Sequence, residues 1–142
     1  MDTPAQTILL VEDSPDDVFF MQYALTKAGI TNPVQVATDG DQAVEYLEGT
    51  GKYSDRSAFP LPAVIFLDLK LPCRSGFEVL EWIRQQPALQ NILVFILTGS
   101  AEERDKQKAR ELGAKAYLVK PPDQAVLRKI IESLNPQSAM AV

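Results

Sequence analysis

The chain contains no histidine, and this absence excludes several kinds of active site. Ser–His and Cys–His nucleophile pairs depend on an imidazole base, so neither pair can form within the chain. Zinc sites of the histidine-rich kind are excluded for the same reason. Chemistry carried out by this chain must therefore depend on carboxylates, hydroxyls and lysine.

Cysteine, long apolar runs and positive charge are also scarce. The single cysteine, Cys73, cannot form an internal disulfide, which favours a cytoplasmic protein. No run of about 18 apolar residues is present, so we expect no membrane span. Residues 1–7 lack the basic start and apolar run of a secretory signal. The net charge of −5 argues against a general affinity for nucleic acid, which needs clustered Lys and Arg.

Short apolar segments predict the strands of a parallel sheet. They are residues 8–11, 34–37, 64–67, 93–97 and 116–119. Continuous apolar runs without alternation indicate strands that are covered on both faces, as in parallel sheets. The segments between them carry apolar residues at helical spacing. The pattern therefore predicts a (βα)₅ fold in one domain, with parallel strands joined by right-handed crossovers.

Local signals mark where the helices begin and end. Ser14 is a predicted N-cap followed by Pro15 at the first helical position, and Asp39 is placed to begin the second helix. Gly29 and Gly113 follow apolar stripes, where a left-handed C-terminal residue is expected. These signals and the apolar segments predict the same alternation of strands and helices.

The expected organisation is a tail of residues 1–6, a domain of residues 7–134 and a tail of residues 135–142. We expect no DNA-binding or other output domain after residue 134. One connection, residues 49–62, is long for a compact domain. It is either functional or simply tolerated at the surface, and the sequence does not decide between the two.

Polar side chains gather at the predicted strand ends. Glu12 and Asp13 follow the first strand, Asp68 follows the third, Thr98 ends the fourth and Lys120 follows the fifth. Ligands of open parallel sheets bind at this carboxyl edge. Taken singly, each residue is readily explained as a helix cap or part of a solvated turn. Their joint occurrence at different strand ends favours a functional site.

The chemistry of this set suits a metal and a phosphoryl group. Neighbouring carboxylates stay ionised at low cost only when a cation joins them, and oxygen ligands suit Mg²⁺. One carboxylate could then attack phosphorus to give an aspartyl phosphate. The metal, the Lys120 ammonium and the Thr98 hydroxyl could bind the phosphoryl oxygens and neutralise their charge.

Motifs at these strand ends resemble those of the response regulator receiver family. They are residues 8–13 (ILLVED), 68–72 (DLKLP), 75–76 (SG), 97–100 (LTGS) and 113–121 (GAKAYLVKP). The likeness extends over residues 7–134. It implies a flavodoxin-like, doubly wound α/β fold with strand order 2-1-3-4-5, and a function in two-component signalling.

The resemblance assigns the acceptor and the metal ligands. Asp68 would be the phospho-acceptor. Asp13 and Asp68 would ligate Mg²⁺ directly, with the backbone carbonyl of Lys70 as a third ligand and Glu12 acting through water. A sensor histidine kinase would supply the phosphoryl group, and because this chain has no histidine, the donor histidine belongs to another protein.

The resemblance also assigns the phosphoryl-binding and switch residues. Lys120 would pair with the acyl phosphate, and the Lys120–Pro121 bond would be cis, as is usual in the family. Thr98 would turn toward a phosphoryl oxygen and let Tyr117 turn inward. This would reshape the face made by the fourth helix, the fifth strand and the fifth helix, through which related regulators often dimerise.

Departures from the common family pattern are expected to modulate the site. The positions concerned are Lys70, Gly99 and Ser100. Lys70 stands where relatives often have Asn or Met, and we hypothesise that its side chain shields the acyl phosphate from water. Gly99 follows Thr98 where Ala is more usual, which leaves room at the site.

The 49–62 connection and the lack of an output domain resemble the small stand-alone regulators that are paired with phytochrome-type histidine kinases. A phosphorelay intermediate or a phosphate sink is an alternative within the same family. In each case we expect a signalling protein that phosphorylates and dephosphorylates only itself, not an enzyme with an external substrate.

Three other functions are less favoured by the residues of the predicted site. A small aspartate-nucleophile phosphatase of the haloacid dehalogenase type is disfavoured because Lys70 occupies the position of its second Asp. A flavodoxin-like electron carrier is disfavoured because two carboxylates after the first strand would repel a flavin phosphate. A degenerate receiver that only binds partners is disfavoured because the residues expected of an active site are all retained.

Overall fold

The computed structural model describes residues 6–99 and 102–134, and within these ranges the chain forms a five-stranded parallel sheet flanked by helices on both faces. The strands are β1 (Ile8–Val11), β2 (Val34–Ala37), β3 (Val64–Leu67), β4 (Leu93–Thr98) and β5 (Ala116–Val119). The helices are α1 (Pro15–Lys27), α2 (Gly40–Glu48), α3 (Gly76–Arg84), α4 (Glu103–Glu111) and α5 (Gln124–Glu132). Short 3₁₀ turns cover Gly51–Tyr53 and Pro87–Leu89.

The strand order is β2-β1-β3-β4-β5, so the predicted flavodoxin-like (βα)₅ fold is confirmed. The predicted strand bounds also hold, except that β4 continues through Thr98, which pairs with Val119 of β5. No helix of the described residues is long and apolar enough to cross a membrane. Residues 1–5 and 135–142 of the predicted tails, and Ser100 of the predicted site, lie outside the described ranges.

Two apolar layers sandwich the sheet, which explains why β1 and β3 are continuously apolar. Alternate residues of β1 face opposite layers. Leu9 and Val11 pack with α2, α3 and Ala109 of α4, whereas Ile8 and Leu10 pack with α1 and α5. Because every residue of β1 and β3 is buried, the positions that follow these strands are held by a rigid centre.

Helix caps place the first turns of the helices at the carboxyl edge of the sheet. The side chains of Ser14 and Asp39 accept hydrogen bonds from the first turns of α1 and α2, as predicted. Ser75 and Glu78 form a capping box at the start of α3. Gly29 and Gly113 have φ values of 81° and 94°, which confirms the predicted left-handed residues after α1 and α4.

The long 49–62 connection is anchored by packing at the opposite edge of the sheet. The rings of Tyr46 and Tyr53 lie 5.1 Å apart, and those of Tyr53 and Phe59 lie 5.2 Å apart. The guanidinium of Arg56 donates hydrogen bonds to the carbonyls of Tyr46 (2.7 Å) and Leu47 (2.9 Å). Both carbonyls lie in the last turn of α2, where Arg56 provides a donor for the Leu47 carbonyl and a second donor for the Tyr46 carbonyl, which also accepts from the N–H of Gly49.

Candidate functional site

Strand register brings the predicted site residues together at one edge. Val11 pairs with Leu67, and Leu67 pairs with Ile96, so β1, β3 and β4 end side by side. The residues that follow these ends and the end of β5 line one cleft. The cleft is lined by Glu12, Asp13, Ser14, Asp17, Asp68, Lys70, Thr98, Gly99 and Lys120. The sequence therefore predicted most of the lining correctly, and it missed Ser14 and Asp17 as lining residues.

Three carboxylates form the acidic part of the cleft. One carboxylate oxygen from each of Glu12, Asp13 and Asp68 lies within 4.8 Å of the other two. Glu12 and Asp68 are buried whereas Asp13 is exposed, so the group is open to solvent on one side. Such a set of oxygen ligands fits a hard divalent cation that keeps some of its water, such as Mg²⁺.

Lys120 supplies the positive charge of the cleft. Its ammonium donates hydrogen bonds to the carboxylates of Glu12 and Asp17, the latter at 2.9 Å, and lies 3.5 Å from Asp68. Burial alone would lower the pKa of Lys120, but its hydrogen bonds with Glu12 and Asp17 and the charge of Asp68 outweigh burial and raise that pKa above its ordinary value. Lys120 therefore stays charged at neutral pH.

Glu12 is the most deeply buried acid of the cleft. Only 2% of its surface is exposed. Burial raises the pKa of Glu12, although the hydrogen bonds from Lys120 and from the backbone N–H of Ser14 favour its charged form. The contact with Lys120 thus offsets part of the cost of burying this carboxylate.

A close backbone approach holds the turn after β3 in place. The N–H of Gly76 donates a hydrogen bond to the carbonyl of Leu69 (3.0 Å). This bond holds the start of α3 against the loop that follows β3. A Cβ at position 76 would collide with the carbonyl oxygen of Asp68. Gly76 therefore fixes the backbone of Asp68, a role that the motif alone did not reveal.

The predicted switch residues lie on β4 and β5. Thr98 is buried at the end of β4, and Tyr117 is half-buried in β5, where it packs against the apolar layer on the α2, α3 and α4 side. The Lys120–Pro121 peptide bond is cis, as expected. No atom lies within 4 Å of the position of a Cβ added at Gly99, so there is room at the site as predicted.

Asp17 is a cleft residue that sequence reasoning did not recognise. It lies in the first turn of α1, where an acid is sufficiently explained by the helix dipole. Its contact with Lys120 joins residues that are 103 positions apart in the chain. No local pattern predicts such a contact, because it depends on the reach of one long side chain in the folded structure.

Comparison with known proteins agrees with this fold and site. The sequence profile of the response regulator receiver domain family matches residues 8–132. The chain therefore belongs to the response regulator receiver family of two-component signalling proteins, as its motifs predicted.

Proteins of phytochrome signalling are among its relatives. The chain is 37% identical over 132 residues to the response regulator Rcp1 of Synechocystis sp. (strain PCC 6803), with 93% of this chain and 88% of Rcp1 covered. It is similar to the bacteriophytochrome response regulator AtBRR, with 42% identity, a TM-score of 0.82 and coverage of 93% and 94%. It is also similar to RcpA, a cyanobacterial phytochrome response regulator, with 30% identity, a TM-score of 0.76 and coverage of 97% and 96%. Rcp1 has been solved with Mn²⁺ bound, and RcpA has been solved in its phosphorylated form.

Proposed function

We propose that this protein is a phospho-acceptor of a two-component pathway, and that Asp68 receives the phosphoryl group in the presence of Mg²⁺. The observation that carries the proposal is the meeting of Glu12, Asp13, Asp68 and Lys120 in one cleft. The donor is a phosphohistidine on a separate sensor kinase, since this chain has no histidine. The family and the phytochrome-associated relatives favour a kinase of the phytochrome type, in the cytoplasm.

The reaction is a displacement at phosphorus. A carboxylate oxygen of Asp68 forms the new bond to phosphorus, the bond from phosphorus to the donor nitrogen breaks, and the departing imidazole takes a proton from water. Glu12, Asp13 and Asp68 would hold the cation, with the Lys70 carbonyl as the further predicted ligand. When bound, Mg²⁺ supplies positive charge that offsets the charge of the phosphoryl oxygens.

The chain's own residues receive the phosphoryl group. The Lys120 ammonium, 3.5 Å from Asp68, pairs with one phosphoryl oxygen, and the Thr98 hydroxyl binds another. The movement of Thr98 lets Tyr117 turn inward and changes the α4-β5-α5 face. β5 borders the sheet with Ala116 and Val119 exposed, which makes this face available for output by protein contact, including dimerisation.

Lys70 and the residues after Thr98 modulate the lifetime of the phosphoryl group. Lys70 lines the cleft with an exposed side chain, in a position to shield the acyl phosphate from water. We expect Lys70→Asn to lose phosphate faster than the parent protein, as measured by intact mass over time after the donor is removed. Equal or slower loss would contradict the shielding role. Gly99 and Ser100 are the other positions proposed to tune this rate.

Two related functions remain in the proposal as alternatives. A phosphorelay intermediate would pass its phosphoryl group on to a second histidine protein, whereas a phosphate sink would lose it to water.

A phosphatase would turn over an external substrate, and steady hydrolysis of a generic phosphomonoester would favour it. We expect no such turnover, because Lys70 stands where the general acid of that chemistry would be needed.

Intact mass after incubation with acetyl phosphate and Mg²⁺ tests the acceptor function. We expect the mass of one added phosphoryl group, no addition without the metal, and no addition to Asp68→Asn. Asp16→Asn is the matched control, because Asp16 is exposed and its side chain makes no hydrogen bond or ion pair within the described residues. An unmodified parent protein, or an Asp68→Asn variant that still gains the group, would overturn the proposal.

A further inference from the structure

The ammonium of Lys120 is shared by three carboxylates before any phosphoryl group arrives. It is closer to Asp17, at 2.9 Å, than to Asp68, at 3.5 Å. It also donates a hydrogen bond to Glu12. To bind a phosphoryl oxygen on Asp68, the ammonium must weaken its contact with at least one of its present partners.

The three acids differ in how readily they can give up the ammonium. Glu12 is 2% exposed and also accepts a hydrogen bond from the backbone N–H of Ser14 at 3.2 Å, so losing its cation would leave a buried charge. The side chain of Asp17 is 40% exposed and can be solvated instead. The contact that breaks at least cost is therefore the one between Lys120 and Asp17.

We infer that Asp17 is a positioning residue that competes with the phosphoryl group for Lys120. In the unphosphorylated protein it holds the ammonium toward the first turn of α1, and phosphorylation transfers the ammonium to the phosphoryl oxygen. Asp17 thereby lowers the affinity of the site for a phosphoryl group and couples phosphorylation to the release of the start of α1. The inference rests on the proposed function of Asp68.

Beryllofluoride, a mimic of the phosphoryl group, measures this competition at equilibrium. With Mg²⁺ and excess fluoride present, beryllium is titrated and the melting temperature gives the apparent affinity. We expect Asp17→Asn to bind roughly two- to fivefold more tightly than the parent protein, the size of a partly exposed ion pair. A residue with a merely structural role would have the opposite effect, because its loss would weaken the site.

Asp16→Asn is the matched control for charge. It removes the same charge from the same turn of α1 but no contact with Lys120, so its affinity should equal that of the parent. Unchanged or weaker binding by Asp17→Asn, or equal tightening by both variants, would overturn the inference. A parent protein that fails to bind beryllofluoride would overturn the proposed function itself, and the inference with it.

A thermodynamic cycle tests the contact without metal or mimic. Asp17→Asn should lower the melting temperature of the parent protein, because it removes an ion pair. In a Lys120→Gln background the same change should lower the melting temperature less, because only the interaction of Asp17 with the start of α1 is then lost. An equal loss in both backgrounds would show that Asp17 does not act through Lys120.

Discussion

The strands that precede Asp68 and Lys120 differ in how they are held in the sheet. β3 lies in the middle of the sheet, pairs with β1 and β4, and has all of its residues buried. β5 pairs with β4 alone among the described residues, and its first and last residues are exposed. Residues on β3 can therefore move little, whereas β5 has fewer neighbours to hold it.

This difference between the strands agrees with the different roles that we propose for the residues beside them. The acceptor follows the rigid strand, so its carboxylate keeps its place beside Glu12 and Asp13. Tyr117 lies on the border strand β5 and Lys120 directly follows it, and we propose that both respond to phosphorylation. Helix α4, next to β5, contributes Ala109 as its buried residue, so the neighbouring part of the face is also lightly anchored. The fixed acceptor Asp68 and the more mobile residues that we propose respond to it thus lie at one edge of the sheet.

The largest predicted effect comes from adding a methyl group at position 76, where the backbone of Gly76 lies against the backbone of Asp68. Gly76→Ala should lower the free energy of unfolding by about 3 kcal/mol, because its Cβ would collide with the Asp68 carbonyl. Gly99→Ala is the control, since the added methyl meets open space and should cost less than about 0.5 kcal/mol. Denaturant unfolding of both variants measures the difference, and equal costs would contradict the account of this turn.

The same substitution on the two strands tests the comparison directly. Val64 in β3 is fully buried, whereas Val119 in β5 is 40% exposed. Val64→Ala should destabilise the protein by about 2–3 kcal/mol through lost burial and a cavity. Val119→Ala should cost less than about 0.5 kcal/mol in the same denaturant titration. Similar values for both would mean that β5 is held as firmly as β3.

Binding of Mg²⁺ in the cleft should stabilise the folded protein. At a Mg²⁺ concentration ten times its dissociation constant, the free energy of unfolding should rise by about 1.4 kcal/mol. A chelator should reverse the gain in melting temperature. Asp13→Asn should reduce or abolish it, because one of the three clustered carboxylates is lost. A full Mg²⁺ response in Asp13→Asn would show that the ion binds elsewhere.

Apart from the control substitutions, the smallest predicted effect concerns a region remote from the cleft. The hydroxyl of Tyr46 donates a hydrogen bond to the carbonyl of Pro60 at 2.7 Å and so fastens the connection before β3. Tyr46→Phe should cost about 1 kcal/mol in unfolding free energy. It should leave the Mg²⁺-induced rise in melting temperature intact, and a smaller rise would show that this loop supports the cleft.

The sequence predicted the fold and most of the cleft because the signals are local. The strands β1 and β3 are buried on both faces, so their apolar runs stop at the polar residues of the edge. The caps at Ser14 and Asp39 and the left-handed Gly29 and Gly113 depend only on neighbouring backbone. Strand ends of a parallel sheet meet at one edge, which brings distant site residues together without further information.

The features that escaped prediction depend on contacts between distant parts of the chain. Asp17 meets Lys120 from another element, and Arg56 reaches the last carbonyls of α2 from the following loop. Val126 belongs to the apolar residues at helical spacing in α5, yet it is 38% exposed. It lies beside Leu127, the buried residue of that turn, and periodicity alone does not define the edge of a buried stripe.

The central claim, that Asp68 is the acceptor, is tested most directly by locating the modification. Borohydride reduces an aspartyl phosphate to homoserine, which peptide mass analysis detects after digestion with trypsin. The tryptic peptide of residues 57–70 contains Asp68 as its only acidic side chain, whereas Glu12, Asp13 and Asp17 share the peptide of residues 1–27. After treatment with acetyl phosphate and Mg²⁺, we predict conversion in the 57–70 peptide alone. Conversion in the 1–27 peptide, with 57–70 unchanged, would contradict the account.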